Sequence, residues 1–437
     1  MKALVFNILT AVSGALLLAH TAMAIEGQQS TTDGERAGQV IENNGGKSTL
    51  TGDWGGLRSR WAEQGVNFEA VYTGDVMSNR SGGVKRGTEY LDNTDLMLTL
   101  DGEKLLGRHG LTLFLYGIVN NGNSPTDNVG DLQGVDNIDA PTTSKLLEAW
   151  VEQSLCQDSC SVKAGLYNLN SEFDAIDTAT LFINSSHGVG PDYSQTGQNG
   201  PSIFPSTSVA VRISYKPTAQ SYIQAAALDG VPGDPSNPHG TQIEFNSGDG
   251  ALLAAEAGLR FPGASEDALG ARYSLGVWHY TAHFDDLVDT DGAGQPLRRD
   301  NNQGAYVIAE GTLYNEPDDA TQGLAVYGRY GIANDDINTL RDYLGAGVVY
   351  TGLIPGRPQD KLGLAAADAR TGNKYRSAMQ LAGTPTTAGE LAVELTYHAE
   401  LTAWLSMQPD VQYIVDPGAD PTLENALLLG LRVVVAL

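Results

Sequence analysis

Leu391-Ala-Val-Glu-Leu-Thr-Tyr-His-Ala-Glu-Leu-Thr402 is a stretch in which every second residue is apolar. In an extended chain, successive side chains point to opposite faces. Leu391, Val393, Leu395, Tyr397, Ala399 and Leu401 therefore share one face, and Glu394, Thr396, His398, Glu400 and Thr402 share the other. A strand of about ten residues with this period separates hydrocarbon from water. The pattern recurs at the C-terminus, where Leu427, Leu429, Leu431, Val433, Val435 and Leu437 lie opposite Gly430 and Arg432. It recurs also in Val209, Val211, Ile213 and Tyr215 against Ala210, Arg212 and Ser214, and in Phe68, Ala70 and Tyr72 against Asn67, Glu69 and Thr73.

Extended over the whole chain, the alternation predicts sixteen strands: 67–77, 91–103, 111–121, 144–155, 160–169, 207–217, 219–230, 248–261, 270–283, 303–315, 321–332, 340–353, 359–371, 388–402, 403–415 and 423–437. An even number suits a bacterial single-chain barrel. The connections tend to alternate long and short. Long ones are expected at 78–90, 122–143, 170–206, 231–247, 284–302 and 372–387. Short ones fall at Leu106–Gly110, Cys156–Cys160, Pro217-Thr218, Pro262–Leu269, Glu316–Asp319, Ile354–Arg357 and near Ala403. The segment Asn334–Ile337 is short where a long one is due. Outer-membrane barrels have short periplasmic turns and longer outer loops, whereas a soluble sandwich has no reason to gather its long loops at one end. Tyr72, Tyr215, Tyr273, Tyr330, Tyr350, Tyr397 and Tyr413 all fall on apolar faces, as expected where a ring meets lipid and its hydroxyl meets water. The expected fold is thus all-β, a transmembrane antiparallel barrel over residues 67–437.

The first 24 residues have the layout of a cleaved secretory signal: Lys2, an apolar run over Ala3–Ala19, and Ala22-Met23-Ala24 as the cleavage site. Its removal leaves 25 basic and 52 acidic residues, a net charge of 25 − 52 = −27. That balance argues against a nucleic-acid partner, which needs a basic surface. After the signal, no run of roughly 18 apolar residues offers a membrane helix, so a spanning chain must close into a barrel. Residues 25–66 read as a periplasmic segment, polar over Gln28–Lys47. A short helix is expected over Asp53–Gln64, with Asp53 as N-cap, Gly65 as stop, and Leu57 and Trp61 on one face. Such a helix either packs on the barrel end or gates it. Cys156 and Cys160 are read as a small disulfide loop, given an oxidising compartment; two thiols without a nearby His make an incomplete zinc site.

Several segments carry a resemblance to a known family. They are Leu50-Thr-Gly-Asp-Trp-Gly-Gly-Leu-Arg58, Leu147-Glu-Ala-Trp-Val-Glu152, Gly165-Leu-Tyr-Asn-Leu-Asn-Ser-Glu-Phe-Asp174 and Leu181-Phe-Ile-Asn-Ser-Ser186. Near the end are Leu401-Thr-Ala-Trp-Leu-Ser-Met-Gln-Pro-Asp-Val-Gln-Tyr413, Asp416-Pro-Gly418 and Asn425-Ala-Leu-Leu-Leu-Gly-Leu-Arg432. With these, the chain resembles the carbohydrate-selective porins of Gram-negative outer membranes. The resemblance implies a sixteen-stranded barrel that passes small sugars, glucose-like ones among them, by diffusion. The chain departs from the usual terminal aromatic residue, ending Val435-Ala436-Leu437.

A channel for sugars needs polar side chains for hydroxyls and aromatic faces for rings. Alternation turns Glu69, Glu148, Trp150, Glu152, Lys163, Arg212, Glu256, Arg260, Arg329, Glu394 and Arg432 toward the lumen. The strand charges must face water, since Arg or Lys at the lipid midplane costs about 2–4 kcal/mol. These groups either select solutes as a mixed-charge constriction or form a ladder that keeps the wall wet and stiff. The long connection 170–206 is expected to fold inward and narrow the lumen, with Asn170, Glu172 and Asp174 as candidates from the family segment.

Other readings compete. The acidic balance suits a general or cation-preferring porin. A barrel-borne hydrolase lacks a G-x-S-x-G motif, and His187, His279, His283 and His398 have no partner that sequence identifies. A secreted glycan-binding sandwich would need no detergent. The sequence calls for no cofactor or metal. Its expected partners are small sugars and outer-membrane lipid, and it leaves monomer and homotrimer both open.

Overall fold

The computed structural model describes residues 49–265 and 268–437; the expected signal and the polar lead Gln28–Lys47 lie outside them. Sixteen strands form one closed antiparallel barrel. They are β1 Val66–Ser81, β2 Gly87–Asp101, β3 Leu111–Gly122, β4 Thr143–Leu155, β5 Cys160–Tyr167, β6 Ser208–Thr218, β7 Ser221–Asp229, β8 Ala251–Phe261, β9 Ala271–Tyr280, β12 Gln303–Asn315, β13 Gly323–Ala333, β14 Leu340–Thr351, β15 Lys361–Thr371, β16 Gly389–Thr402, β17 Leu405–Val415 and β18 Ala426–Ala436. A separate hairpin, β10 Phe284–Thr290 and β11 Pro296–Arg299, interrupts the sequence between β9 and β12. Each barrel strand pairs with its sequence neighbour, β9 pairs with β12 past the hairpin, and β1 closes the ring against β18 from Val71↔Ala436 to Ser81↔Leu427. The aliphatic C-terminus therefore completes the seam without an aromatic end.

The wall is inverted relative to a soluble protein. On β6, Val211, Ile213 and Tyr215 are about half exposed, whereas Ser208, Ala210 and Arg212 are buried. On β16, Leu395 is exposed and Glu394 is fully buried. Exposed apolar and buried charged side chains on one strand mean that lipid lies outside and a polar interior lies within.

All sixteen expected strands form. The connection expected at 78–90 shrinks to 82–86, because β1 and β2 stay paired out to Asn79↔Gly87. The loop expected at 284–302 contains the β10–β11 hairpin, and the one at 372–387 contains a helix over Asn373–Leu381. The N-terminal helix spans Leu57–Glu63, starting later than expected. Gly55 and Gly56 occupy left-handed backbone, φ 68° and 86°, which delays the first turn. Asp53 is not the N-cap, although its carboxylate accepts from Ser59 N–H at 2.9 Å. Gly65 does follow the helix, at φ 90°. The expected disulfide is not formed: Cys156 and Cys160 are free thiols. The β4–β5 turn closes through its backbone instead, with Leu155↔Cys160 paired and Cys156, Gln157 and Asp158 all left-handed.

Candidate functional site: a loop pinned across the lumen

Residues 168–207, between β5 and β6, fold into the barrel. Short turns shape them locally. Asn168 Oδ1 accepts from Asn170 N–H and Asn184 Oδ1 from Ser186 N–H, both at 3.1 Å, and each opens a single 3₁₀ turn. Polar side chains from around the ring then take up the backbone groups of this loop. Glu148 of β4 accepts from Asn168 N–H at 3.1 Å, and Glu256 of β8 accepts from Asp174 N–H at 3.1 Å. Glu310 of β12 accepts from the N–H groups of Asp177 and Thr178 at 3.2 and 2.8 Å. Glu394 of β16 accepts from Ile183 and Asn184 at 2.6 and 2.9 Å. Gln408 of β17 and Tyr343 of β14 donate to the carbonyls of Leu181 and Ser186. Because these strands stand on different sides of the ring, the segment crosses the lumen. A carboxylate facing two amide N–H groups replaces the water that each would otherwise need.

Two charged clamps fix the loop further. Glu172 meets Lys163 Nζ at 2.8 Å, Arg212 through Nε at 2.7 Å and Nη2 at 2.5 Å, and the hydroxyl of Tyr167. Arg212 also reaches Glu152 at 2.8 Å. Burial works against the charge on Glu172, but Lys163 and Arg212 outweigh it and hold its carboxyl below the usual range. Lys163 also sits 4.0 Å over the ring of Trp150, whose indole donates to Glu148 and which packs on Phe114. In the second clamp, Arg329 of β13 grips both oxygens of Asp174 at 2.7 Å and Asp192 at 2.6 Å. Gly190 and Gly331 leave room for it: a β-carbon at either would collide with the Arg329 guanidinium or the Asp192 carboxylate.

The connection 123–142 also turns inward and stacks on this loop. Asn137 N–H donates to Ile183 carbonyl, and Ser185 N–H to Gly134 carbonyl, both at 2.9 Å. Glu390 accepts from Leu132 and Gln133 N–H, and Gln412 donates to Val135 carbonyl. Arg432 binds Asp75, Asp136 and Asn137 at 2.7, 3.2 and 2.7 Å.

The structure places most of the strand candidates inside the wall and shows what they hold. Glu148, Trp150, Glu152, Lys163, Arg212, Glu256, Arg329, Glu394 and Arg432 are all buried and engaged with a loop or with each other. Asn170 braces its own loop, donating to the carbonyls of Phe173, Asp174 and Gly188. Glu69 and Arg260 are different. They lie near the short-turn ends of β1 and β8 and keep partial exposure; Arg260 stacks 4.8 Å over Tyr222. Sequence reasoning missed Asp75, Asp136, Asp192, Arg272, Glu310 and Glu390. It also missed an inward set of tyrosines, among them Tyr222, Tyr306, Tyr327 and Tyr343. Inward strand parity would have found Asp75, Arg272, Glu310 and Glu390, but no sequence signal pairs loop acids with wall cations.

A sequence model of the family described as "Carbohydrate-selective porin, OprB family" matches residues 85–437. Porin B of Pseudomonas aeruginosa is 27% identical over 420 residues, covering 88% of this chain and 90% of that protein. The putative porin QuiX of Acinetobacter baylyi is 22% identical over 413 residues, covering 87% and 91%. Among solved structures, the high-pH form of Pseudomonas putida OprB superposes with a TM-score of 0.79 at 24% identity, over 91% of this chain and all of that one.

Proposed function

Because the chain belongs to the carbohydrate-selective porin, OprB, family and is a sugar porin of the outer membrane, we propose that selection takes place where residues 168–207 cross the lumen. The carrying observation is the ring of wall carboxylates, Glu148, Glu256, Glu310 and Glu394, that hold the loop's N–H groups. A loop held at many points sets a fixed aperture, and a fixed aperture sorts solutes by size and hydrogen bonding. The cations in its clamps face carboxylates, so they present no ring of one sign. That arrangement favours a neutral, hydroxyl-rich solute over a particular ion. Glu69 and Arg260, on the periplasmic side of the loop, offer an acceptor and donors to a sugar leaving it. The chemistry required is binding and release, and none of these roles calls for a nucleophile or a cofactor.

Liposome swelling with a pentose, a hexose and a disaccharide tests the reading. The wild-type protein should pass the first two and retard the third. Glu394→Ala, which frees two loop amides, should raise disaccharide entry and ionic conductance together. An unchanged size limit would remove the loop as the constriction. Strong cation preference with no discrimination among sugars would remove the selective role itself.

A further inference from the structure

The outer face of the barrel carries a row of aromatic rings at its short-turn end. They are Tyr215 on β6, Phe261 on β8, Tyr273 on β9, Tyr314 on β12, Tyr350 on β14 and Tyr397 on β16. The first four are each about half exposed. Every short-turn hairpin from β6 round to β17 therefore has a ring at the level where hydrocarbon meets headgroups. The seam continues the row with Phe68 at the start of β1. The hairpins β2–β3 and β4–β5 break it. Their outward residues near the turns are Leu100, Leu113, Leu155 and Val162, all aliphatic.

The N-terminal segment stands at the edge of that gap. Leu50 N–H donates to Ala436 carbonyl at 2.8 Å, which ties the segment to the end of β18. Trp54 packs 6.0 Å from Phe68 and 6.2 Å, edge to face, from Trp61. Arg58 lies 4.7 Å over the Trp54 ring and donates to Phe68 carbonyl. Lys104, in the β2–β3 turn, donates to Ala62 carbonyl at 3.3 Å. Yet Leu50, Trp54 and Trp61 remain 50%, 39% and 38% exposed. Large apolar rings left open beside a lipid-facing phenylalanine continue the lipid-facing surface.

We propose that residues 50–61 form an interfacial anchor whose Trp54 and Trp61 insert into the phospholipid boundary of the periplasmic leaflet. There they complete the aromatic row where β2–β5 lack it. The segment combines two part-exposed tryptophans in contact with each other and the basic side chains Arg58 and Arg60, the residue types that interfacial segments use. The helix is then neither a gate nor a simple packing element at the barrel end.

Tryptophan emission of the full-length protein in phospholipid vesicles decides the matter. Subtracting the spectra of Trp54→Phe and Trp61→Phe from wild type isolates each ring from Trp150, Trp278 and Trp404. Both isolated signals should be blue-shifted. Vesicles with brominated acyl chains should quench them by about twofold or more, and aqueous acrylamide should do far less. Quenching by acrylamide alone would place the rings in the periplasm and overturn the proposal. Quenching by neither would mean that the rest of the chain or a second copy covers them, which overturns it equally. A second reading separates anchor from gate: Trp54→Ser with Trp61→Ser should leave hexose swelling rates unchanged, and a changed rate would count against the anchor.

Discussion

The loops 123–142 and 168–207 both fold into the lumen, but different forces keep them there. The second is clamped by three wall cations, Lys163, Arg212 and Arg329, acting on the loop acids Glu172, Asp174 and Asp192. Among the described residues the first meets one wall cation, Arg432, and otherwise hangs on hydrogen bonds to Glu390, Gln412, Glu89 and Asn79. It also carries acids that no cation fully answers. Burial pushes Asp131 up to about 6, even though Gly134 N–H hydrogen-bonds to it at 2.6 Å. Burial likewise raises Asp136, with Asp75 adding to the effect and Arg432 only partly opposing it. One loop is held by three wall cations and the other by one. They should therefore fail under different insults.

The largest expected effect is at Arg329. Removing one partner of a buried ion pair costs roughly 3–5 kcal/mol, because the remaining charge is left without compensation. Arg329→Gln strands two acids, Asp174 and Asp192. Arg432→Gln strands Asp75 and Asp136, but Arg432 is less deeply buried than Arg329, 11% against 1% exposed, so water can more readily reach the acids it leaves. Limited proteolysis in detergent should therefore cut 168–207 in Arg329→Gln faster than 123–142 in Arg432→Gln. Arg329→Gln should also lower the temperature of heat-modified gel mobility further. Equal sensitivity would erase the contrast between the loops.

Acid should move the two loops differently. Asp131 has a raised pKa in the fold, so the folded state binds more protons than the unfolded chain between about pH 6 and the ordinary aspartate value near 3.9. Its ionisation costs stability, and lowering pH from 7 to 5 relieves that cost. Glu172 has a lowered pKa, so its contribution is complete above the ordinary glutamate value near 4.3 and fades only below it. Burial also raises Asp174, to about 7 against the pull of Arg329, so the contrast lies at the Glu172 clamp. Hydrogen exchange, corrected for intrinsic rates, should thus show amides of Gln133 and Gly134 gaining protection from pH 7 to 5, with the amide of Glu172 unchanged. Loss of protection in 168–207 over that range would contradict the pairing assigned to Glu172.

This division of labour was only partly visible in the chain. The strands and the inward direction of their charges were legible, because period-two alternation is local and lipid enforces it at every residue. Arg212, Glu256 and Glu394 could be aimed from their neighbours alone. Their partners could not. Arg329 and Asp174 are 155 residues apart, and Glu394 meets the N–H of Ile183 across 211. No local pattern encodes such meetings. The seven tyrosines expected on apolar faces are all at least partly exposed, but others could not be placed from residue type. Tyr397 and Tyr273 face lipid, but Tyr306 and Tyr343 point inward, donating to Glu256 and to Ser186 carbonyl respectively. Residue type alone does not separate those uses. The delayed N-terminal helix came from the left-handed backbone at Gly55–Gly56, which composition does not report.

The smallest effect should be at Asn170, and it separates bracing from solute contact within the charge-clamped loop. Its amide donates to three carbonyls, of which Asp174 is the nearest at 3.0 Å and Gly188 the farthest at 3.4 Å. A neutral hydrogen bond contributes about 0.5–1.5 kcal/mol, and carbonyls left partly exposed can turn to water. Asn170→Ala should therefore cost about 1 kcal/mol in loop stability, well under the Arg329 effect, while Arg329 still holds Asp174 in place. Hexose and disaccharide swelling rates should keep their wild-type ratio. If that ratio shifts while hydrogen exchange at Phe173 and Asp174 stays unchanged, Asn170 acts on the solute directly. The loop would then owe its selectivity to its own side chains rather than to the aperture that the wall imposes on it.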